Sequence, residues 1–196
     1  ARLAGAQREA GALVVKDEID AIYTANGSQD FNASTGVDVT TYKISLPANR
    51  LPLWARIESE RLRAPVMREF YSEREVVREE RRQSYESDPS RKLMELFFAS
   101  AFVAHPYRRP VIGWDGDVRY LRAGTAERFF RTWYAPNNTV LAAVGDVDPP
   151  AFLALVRAAF GPIPAQPLPA ETATPEPGQD GERRVTLVSD ARPELM

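Results

Sequence analysis

The run from Arg68 to Asp88 constrains this chain more than any other segment, because it is rich in helix-forming Glu and Arg and contains no proline or glycine. It predicts a helix in which Glu73 and Glu80 stand seven residues apart. Seven residues make close to two turns, so the two carboxylates share a face and lie roughly 10 Å apart along the axis. One could hold a metal while the other braces a neighbouring group.

A second interpretation of the same helix is a salt-bridged surface exposed to solvent, which is the usual structure of a segment this rich in both charges. Several arginines in and near the run are expected to pair with nearby glutamates and not to bind substrate; they are Arg61, Arg74, Arg81 and Arg82. Arg74 in particular is expected to help hold the helix in register.

Composition restricts the function classes. The chain has 196 residues, 44% of them hydrophobic, and a formal net charge of -2 from 25 basic and 27 acidic residues. This length suits one ordinary domain, and the balanced charge gives no basic stripe for nucleic acid. No apolar run reaches the ~20 residues that cross a bilayer, so we expect a soluble protein without a membrane span. The compartment, periplasm or cytoplasm, stays open.

Metal chemistry is limited by the ligands present. The chain has no cysteine, which excludes disulfides and thiolate zinc sites, and its one histidine is His105. His105 lies in a His-Pro-Tyr turn, where we expect it to bond backbone and not a metal. A catalytic zinc normally takes three protein ligands, so these residues alone are short of a complete set.

Hydrophobic periodicity and turn residues predict a mixture of helices and mainly antiparallel strands. The fold class expected is therefore α+β, a two-layer sandwich of helices on one sheet. The predicted helices are an uncapped one containing Leu3, Ala6, Ala10 and Leu13, one ending at Asn26-Gly27, and others over Pro52–Ala64, Lys92–Val103 (largely buried and capped by Ser90), Asp117–Tyr134 in two parts, and Phe152–Phe160 before a Gly161 cap. The predicted strands are DFNAST and DVTTYKISL around Gly36, the buried central strand TVLAAVGD, and RRVTLVSD.

Five motifs in order carry a resemblance to a known family: DEIDAIYTANGSQDFNASTGVDVTTYKISLPANRLPLWARIESERL, FYSEREVVREERRQSYESDP, AHPYRRPVIGWDGDV, FFRTWYAPNNTVLAAVGDVDP and FGPIP. The set resembles the N-terminal half-domain of the insulinase/pitrilysin zinc metallopeptidases. The resemblance implies residues 1–161 as that half-domain, a proline-rich linker over 162–181, and the first strand of a following repeat half-domain over 182–196.

The resemblance also implies roles for the acidic helix. In the family, a His-x-x-Glu-His motif gives two zinc-binding histidines and the general base, and a later Glu-Arg-x-x-Val-x-x-Glu pattern completes the metal site. That later pattern matches Glu73 to Glu80 here. It implies Glu80 as the third zinc ligand and Glu73 as the catalytic-site carboxylate that orients a metal-bound group. The Glu80 carboxylate is then expected to face inward to a cavity.

The chain departs from the family at one point, because no His-x-x-Glu-His occurs in it. Two explanations stay open: a fragment of a longer polypeptide whose zinc-binding start is missing, which we favour, or an inactive family member. The fragment alone is expected to be inactive.

The resemblance further implies that Asn32, Ala33 and Ser34 lie on an edge strand where an extended peptide substrate pairs through its backbone. The alternative is that Asn32 only ends a turn. The expected partners are this peptide substrate and a second, homologous half-domain, in the same chain or in a partner subunit. The alternative function is a non-catalytic scaffold subunit with the same fold.

Overall fold

The computed structural model describes residues 15–170 and 174–189, so the predicted helix through Leu3 and Leu13 lies outside the described residues. Within them the chain forms seven α-helices and one β-hairpin. The helices are α1 (Glu18–Ala25), α2 (Leu51–Arg63), α3 (Phe70–Arg81), α4 (Pro89–Ala101), α5 (Asp115–Tyr120), α6 (Ala123–Trp133) and α7 (Pro149–Phe160); the strands are β1 (Gln29–Thr35) and β2 (Thr40–Ser45).

The predicted α+β class is confirmed, with an antiparallel sheet of two strands among the described residues. None of the described helices is both long enough and apolar enough to cross a bilayer. Two compact units divide the chain. Within the described residues, the first comprises 15–35, 39–68 and 124–169, and the second comprises 36–38, 69–123, 170 and 174–189.

The two strands of the hairpin belong to the first unit. As predicted, Asn26 ends the preceding helix α1, and Gly27, at φ 82, turns the chain into β1. The strands pair with Ala33 opposite Tyr42, and the register is interrupted between Gln29 and Asn32. Tyr23 of α1 is fully buried and packs at 5.1 Å between ring centroids against Phe31 of β1. A helix therefore covers the start of the strand that carries the candidate substrate-binding residues.

The apolar core of the first unit lies between α2 and α7. Ala55, Phe160 and Ile163 are 1%, 8% and 8% exposed. The Trp54 ring stacks on Phe152 and packs at a tilt against Phe160. Asp148 begins α7 by accepting a 2.9 Å hydrogen bond from the amide of Ala151. Ile163 lies in the segment predicted to be a solvated linker, so this part of the linker contributes to the core.

The second unit contains α3, which ends in a π-helical turn over Arg82–Glu86. The turn is marked by a 3.1 Å hydrogen bond from the amide of Ser87 to the carbonyl of Arg82. A π turn widens the backbone spiral, so the regular register of α3 stops one residue after Glu80.

Helix α4 corrects two predictions. Asp88, not Ser90, caps the helix, because its carboxylate accepts hydrogen bonds from the amides of Ser90 and Arg91. Pro89 occupies the first helical position, so the cap lies two residues before Ser90. The helix is also less buried than predicted, since Leu93, Phe97 and Phe98 are 37%, 54% and 42% exposed. Its one buried residue is Glu95.

The strand predictions for TVLAAVGD and RRVTLVSD are wrong for the described residues, which have neither a helix nor a strand at 139–144 and 183–189. Val140, Val144 and Val188 are 93%, 100% and 91% exposed. A strand exists only when its backbone pairs with a neighbour, and no described segment supplies one to either run. The amino-acid composition of these two runs does not show whether a partner strand is present.

The described part of the segment from 162 to 181 contains no helix or strand, in agreement with its many prolines. It is nevertheless attached at two points. In the first unit, the backbone N–H of Gln166 donates to Oδ1 of Asn137, and the backbone carbonyl of Gln166 accepts from Nδ2 of Asn137. In the second unit, the Glu176 carboxylate accepts hydrogen bonds of 2.6–2.9 Å from the amides of Val103, Ala104 and His105.

Candidate functional site

Helix α3 carries both glutamates singled out by sequence. Glu73 stands in its first turn, where a negative charge suits the helix dipole, and Glu80 is its penultimate residue. Arg78 and Arg81 stand in the last turn, where positive charge is favourable. With acidic residues near its start and basic residues near its end, the segment favours the helix that places Glu73 and Glu80 on one face.

The four glutamates of α3 divide into two pairs with different surroundings. Glu75 accepts hydrogen bonds from Arg74 and Arg78, at 2.8 and 2.7 Å, and Glu79 accepts them from Arg82. The Arg74 and Arg78 guanidinium groups hold the pKa of Glu75 below its usual range, and Arg82 with Gln83 lowers the pKa of Glu79 to about 2. Glu73 and Glu80 have no such partner among the described residues.

Glu73 and Glu80 are both exposed. The expectation that Glu80 faces inward to a cavity therefore does not hold for the described residues. The physical reason is that the inward face of α3 is formed by other side chains, chiefly Arg74, Arg78 and Arg81, which are 22%, 34% and 4% exposed. The glutamates lie away from that face.

The described residues contain no group of three or more His, Cys, Asp or Glu side chains able to hold a metal ion. The carboxylates of Glu73 and Glu80 are two potential donors on one helix, fewer than the three protein ligands that a catalytic zinc normally takes. The donor chemistry fits zinc, since carboxylate oxygens are among its ordinary ligands.

His105 has the structural role that the sequence predicted. Its Nδ1 accepts a 3.3 Å hydrogen bond from the amide of Tyr107, and this begins a short 3-10 turn. The ring lies 4.4 Å from the Tyr107 ring, edge to face. The Nδ1 atom and the ring face or edge against Tyr107 are therefore engaged within this turn.

The candidate substrate residues lie on β1, in the first unit. Asn32, Ala33 and Ser34 are exposed and pair with Lys43, Tyr42 and Thr41 of β2. The Asn32 Oδ1 accepts a 2.7 Å hydrogen bond from the amide of Ala33, so this side chain shapes its own backbone. The two glutamates share a helix in the second unit, and the three strand residues belong to the first.

Sequence reasoning overlooked Glu95, which forms a buried ion pair with Arg81: Arg81 Nη2 lies 2.8 Å from Glu95 Oε2, and the side chains are 4% and 1% exposed. A signal existed, because Glu95 lies inside an otherwise apolar stretch with Leu93 and Leu96 on either side. A lone acid in such a stretch indicates a buried charge with a partner.

Comparison with known proteins finds similarity to proteins named as zinc proteases. Residues 122–196 match the family model described as the peptidase M16 inactive domain. The zinc protease PqqE of Helicobacter pylori is 31% identical over 166 residues, which cover 81% of this chain and 37% of that protein. The chain thus spans about two fifths of the length of this relative.

Two solved structures share the fold. A protease from Helicobacter pylori superposes with a TM-score of 0.75 at 32% identity, covering 85% of this chain and 41% of that one. The first half of the periplasmic protease PqqL from Escherichia coli superposes with a TM-score of 0.67 at 27% identity, covering 77% and 33%. Together with the ordered motifs and the α+β fold, these similarities establish that the chain belongs to the insulinase/pitrilysin (M16) family of zinc metallopeptidases.

Proposed function

We propose that this chain is part of a longer zinc endopeptidase and carries the downstream glutamate ligand of its metal site. The supporting observation is the difference between the glutamates of α3. Glu75 and Glu79 bind arginines, whereas Glu73 and Glu80, the two that match the family pattern, have no partner among the described residues. Among the described residues, the two glutamates that match the family pattern are therefore the two whose carboxylates no arginine occupies.

Glu80 is the proposed zinc ligand, and Glu73 is the carboxylate that orients a group bound to the metal. The two histidines and the general base would come from polypeptide that precedes this chain, in keeping with the greater length of PqqE. Bound zinc would supply Lewis-acid activation of the scissile carbonyl. Glu80 contributes negative charge and geometry, and the exposed face of α3 leaves room for the other ligands.

The proposed substrate is a peptide in extended conformation that adds to the edge of β1 at Asn32, Ala33 and Ser34. Two features support this. Strand β1 has β2 on one side and no other partner among the described residues, and all three residues are exposed. Backbone pairing of this kind tolerates many peptide sequences.

A second, homologous half-domain would complete the enzyme, in the same chain or as a separate subunit. Support comes from the Escherichia coli neighbour, whose first half was solved on its own. Residues 182–196 are proposed to begin that following half-domain, after the linker over 162–181. Our alternative remains a non-catalytic scaffold of the same fold.

Peptide hydrolysis by the full-length protein tests the proposed function. We expect zinc-dependent cleavage of a quenched extended peptide, abolished by a chelator and restored by zinc. The 196-residue chain alone should give no turnover, because it contains one histidine. Chelator-sensitive turnover by this chain alone would contradict the ligand assignment, and a full-length protein that neither binds zinc nor cleaves peptide would favour the scaffold.

A further inference from the structure

The inward face of α3 is built from arginine. The less exposed positions of the helix include Arg74, Val77, Arg78 and Arg81, which follow the i, i+3, i+4, i+7 spacing of one face. A helix that packs against its domain normally presents aliphatic side chains there, and in this one three of the four positions are cationic. The contacts of these arginines therefore decide how α3 is oriented.

All three arginines reach the same neighbouring segment. Arg74 Nη1 donates a 3.2 Å hydrogen bond to the carbonyl of Leu121, Arg78 Nε lies 3.6 Å from Asp115 Oδ1, and Arg81 Nη1 donates a 2.8 Å hydrogen bond to the carbonyl of Gly113. Residues later in α3 contact residues earlier in the segment 113–121, so α3 and this segment run antiparallel.

Arg81 makes the most buried of these contacts. Besides Gly113 it meets Glu95 of α4, whose other oxygen accepts a 2.9 Å hydrogen bond from Lys92 Nζ. The Arg81 guanidinium also lies 5.6 Å from the centre of the Tyr85 ring, in the π turn. One side chain thus connects α3 to α4, to the Gly113 loop and to the turn that follows.

The geometry of the Arg81–Glu95 ion pair leaves some of its hydrogen-bonding groups unused. Arg81 Nη2 and Glu95 Oε2 are close, yet they are not aligned for a hydrogen bond, and Arg81 Nε has no acceptor among the described residues. Burying two charges carries a large desolvation penalty, and apolar side chains of similar volume often serve stability equally well. A role in orientation explains the pair better than a role in stability.

The geometry of the helix connects Arg81 to the glutamates. Successive residues are rotated by about 100°, so a buried side chain at 81 fixes the direction of the side chain at 80. Glu73, two turns earlier, points the same way as Glu80. The regular α-helix ends at Arg81, because the π turn begins at Arg82. No later α-helical residue therefore packs against the domain to fix the rotation of α3 at this end. The contacts of Arg81 are what remain at that end.

We propose that Arg81, held by Glu95 and the Gly113 carbonyl, is a positioning residue that sets the rotation of α3 and so directs Glu80 and Glu73 toward the metal. This inference rests on the proposed function, in which Glu80 is the zinc ligand. Arg81 itself does not touch the metal, and its effect passes through the helix.

The test measures zinc affinity and unfolding together, in the full-length protein. The informative variant is the double substitution Arg81→Met with Glu95→Met, which removes both charges and keeps an apolar contact between α3 and α4. The matched control is Arg82→Met, because Arg82 is the next residue, is 62% exposed and pairs with Glu79. Zinc affinity is measured by competition with a chromogenic chelator, and folding by the denaturant midpoint.

We expect the control to bind zinc as the wild type does, and the double variant to keep its unfolding midpoint while zinc affinity falls about 10-fold, the effect typical of losing a group that orients a ligand. A well-folded double variant with wild-type zinc affinity would overturn the proposal. If the double variant does not fold, Arg81→Lys replaces it: the ammonium keeps the charge but lacks the planar fork, so weaker zinc binding supports the role and unchanged binding refutes it.

The Glu80→Gln variant separates this inference from the proposed function. Normal zinc affinity in Glu80→Gln would mean that Glu80 is not a ligand, and the proposed function itself would then fail. Weakened affinity in Glu80→Gln together with normal affinity in the folded Arg81 variants would remove only the positioning role.

Discussion

The hydroxyl of Tyr23 donates a 2.7 Å hydrogen bond to Oε1 of Glu58, which links α1 to α2 across 35 residues of sequence. Arg61 donates to both oxygens of the same carboxylate, at 3.0 and 2.9 Å. Tyr23 is fully buried, so this polar group lies inside the first unit and is satisfied there. The link stabilises the packing of the helix that covers the start of β1.

Replacing Tyr23 with phenylalanine removes this hydrogen bond and leaves the ring in place. We expect the free energy of unfolding to fall by about 1–2 kcal/mol, since the bond is buried and its acceptor is charged. Chemical denaturation measures the change. Tyr120→Phe is the control, because Tyr120 is 73% exposed and its loss should change stability by less than about 0.5 kcal/mol. Equal effects of the two substitutions would contradict the assigned role of Tyr23.

The same tyrosine predicts a loss of stability in alkali. Burial, followed by the bond to Glu58, raises the pKa of the Tyr23 hydroxyl above its ordinary value of 10.0. Above that pH the unfolded chain releases a proton that the folded chain retains, so stability decreases as pH rises further. The free energy of unfolding is measured by denaturation between pH 8 and pH 11, about one to two units on either side of the reference pKa of tyrosine. Over this range it should decrease less for Tyr23→Phe than for the wild type.

Phe160 anchors the apolar core between α2 and α7. Phe160→Ala should cost about 3–5 kcal/mol, because it removes a large buried ring and leaves a cavity beside Trp54 and Ile163. Phe129→Ala, at a position 58% exposed, is the matched control and should cost far less. Thermal or denaturant unfolding compares the two variants. A small effect at Phe160 would mean that the core lies elsewhere.

Asp88 is expected to be the residue that begins α4. Asp88→Ala should reduce stability by about 1 kcal/mol, since it removes the acceptor for the amides of Ser90 and Arg91. Ser90→Ala keeps that acceptor and should be nearly neutral. The pair of variants decides between the two capping residues, and a larger effect at Ser90 would restore the assignment made from sequence.

The Glu176 carboxylate attaches the linker, and this attachment is predicted to be sensitive to acid. Bonds from the amides of Val103, His105 and Ala104 lower the pKa of Glu176 from 4.5 to about 2. The stabilisation is therefore complete above about pH 4.5 and is lost as pH falls toward 2, because the unfolded chain takes up the proton first. Amide exchange at 103–105 should accelerate in Glu176→Gln at neutral pH. Glu182→Gln should leave exchange unchanged, because Glu182 pairs with exposed Arg184 and with no other side chain in the described part of the chain.

Local signals predicted the helices and the hairpin well. Asn26-Gly27 ends α1, Gly36 lies between the strands, and the periodicity around Trp54 marks α2. These features depend on neighbours in sequence, which a sequence displays directly. The capping error at Ser90 is of the same local kind, since Pro89 takes the first helical position and the helix starts two residues earlier than a cap at Ser90 implies.

Features that depend on distant residues were not predictable. Val140 and Val144 resemble strand residues, yet strand formation depends on a partner that composition does not identify. The spacing of Glu73 and Glu80 fixes their common face, but which face of α3 is inward depends on Gly113 and Glu95. For this reason sequence analysis predicts the helix correctly and the direction of Glu80 wrongly.

Zinc affinity of the full-length protein with Glu80→Gln, compared with Glu79→Gln, tests the central claim most directly. The two positions are adjacent and exposed, and Glu79 is already paired with Arg82. We predict that Glu80→Gln weakens zinc binding about 10- to 100-fold or more, that Glu73→Gln acts more mildly, and that Glu79→Gln has no effect. Equal zinc affinity in Glu80→Gln, Glu79→Gln and the wild type would contradict the assignment of Glu80 as a metal ligand.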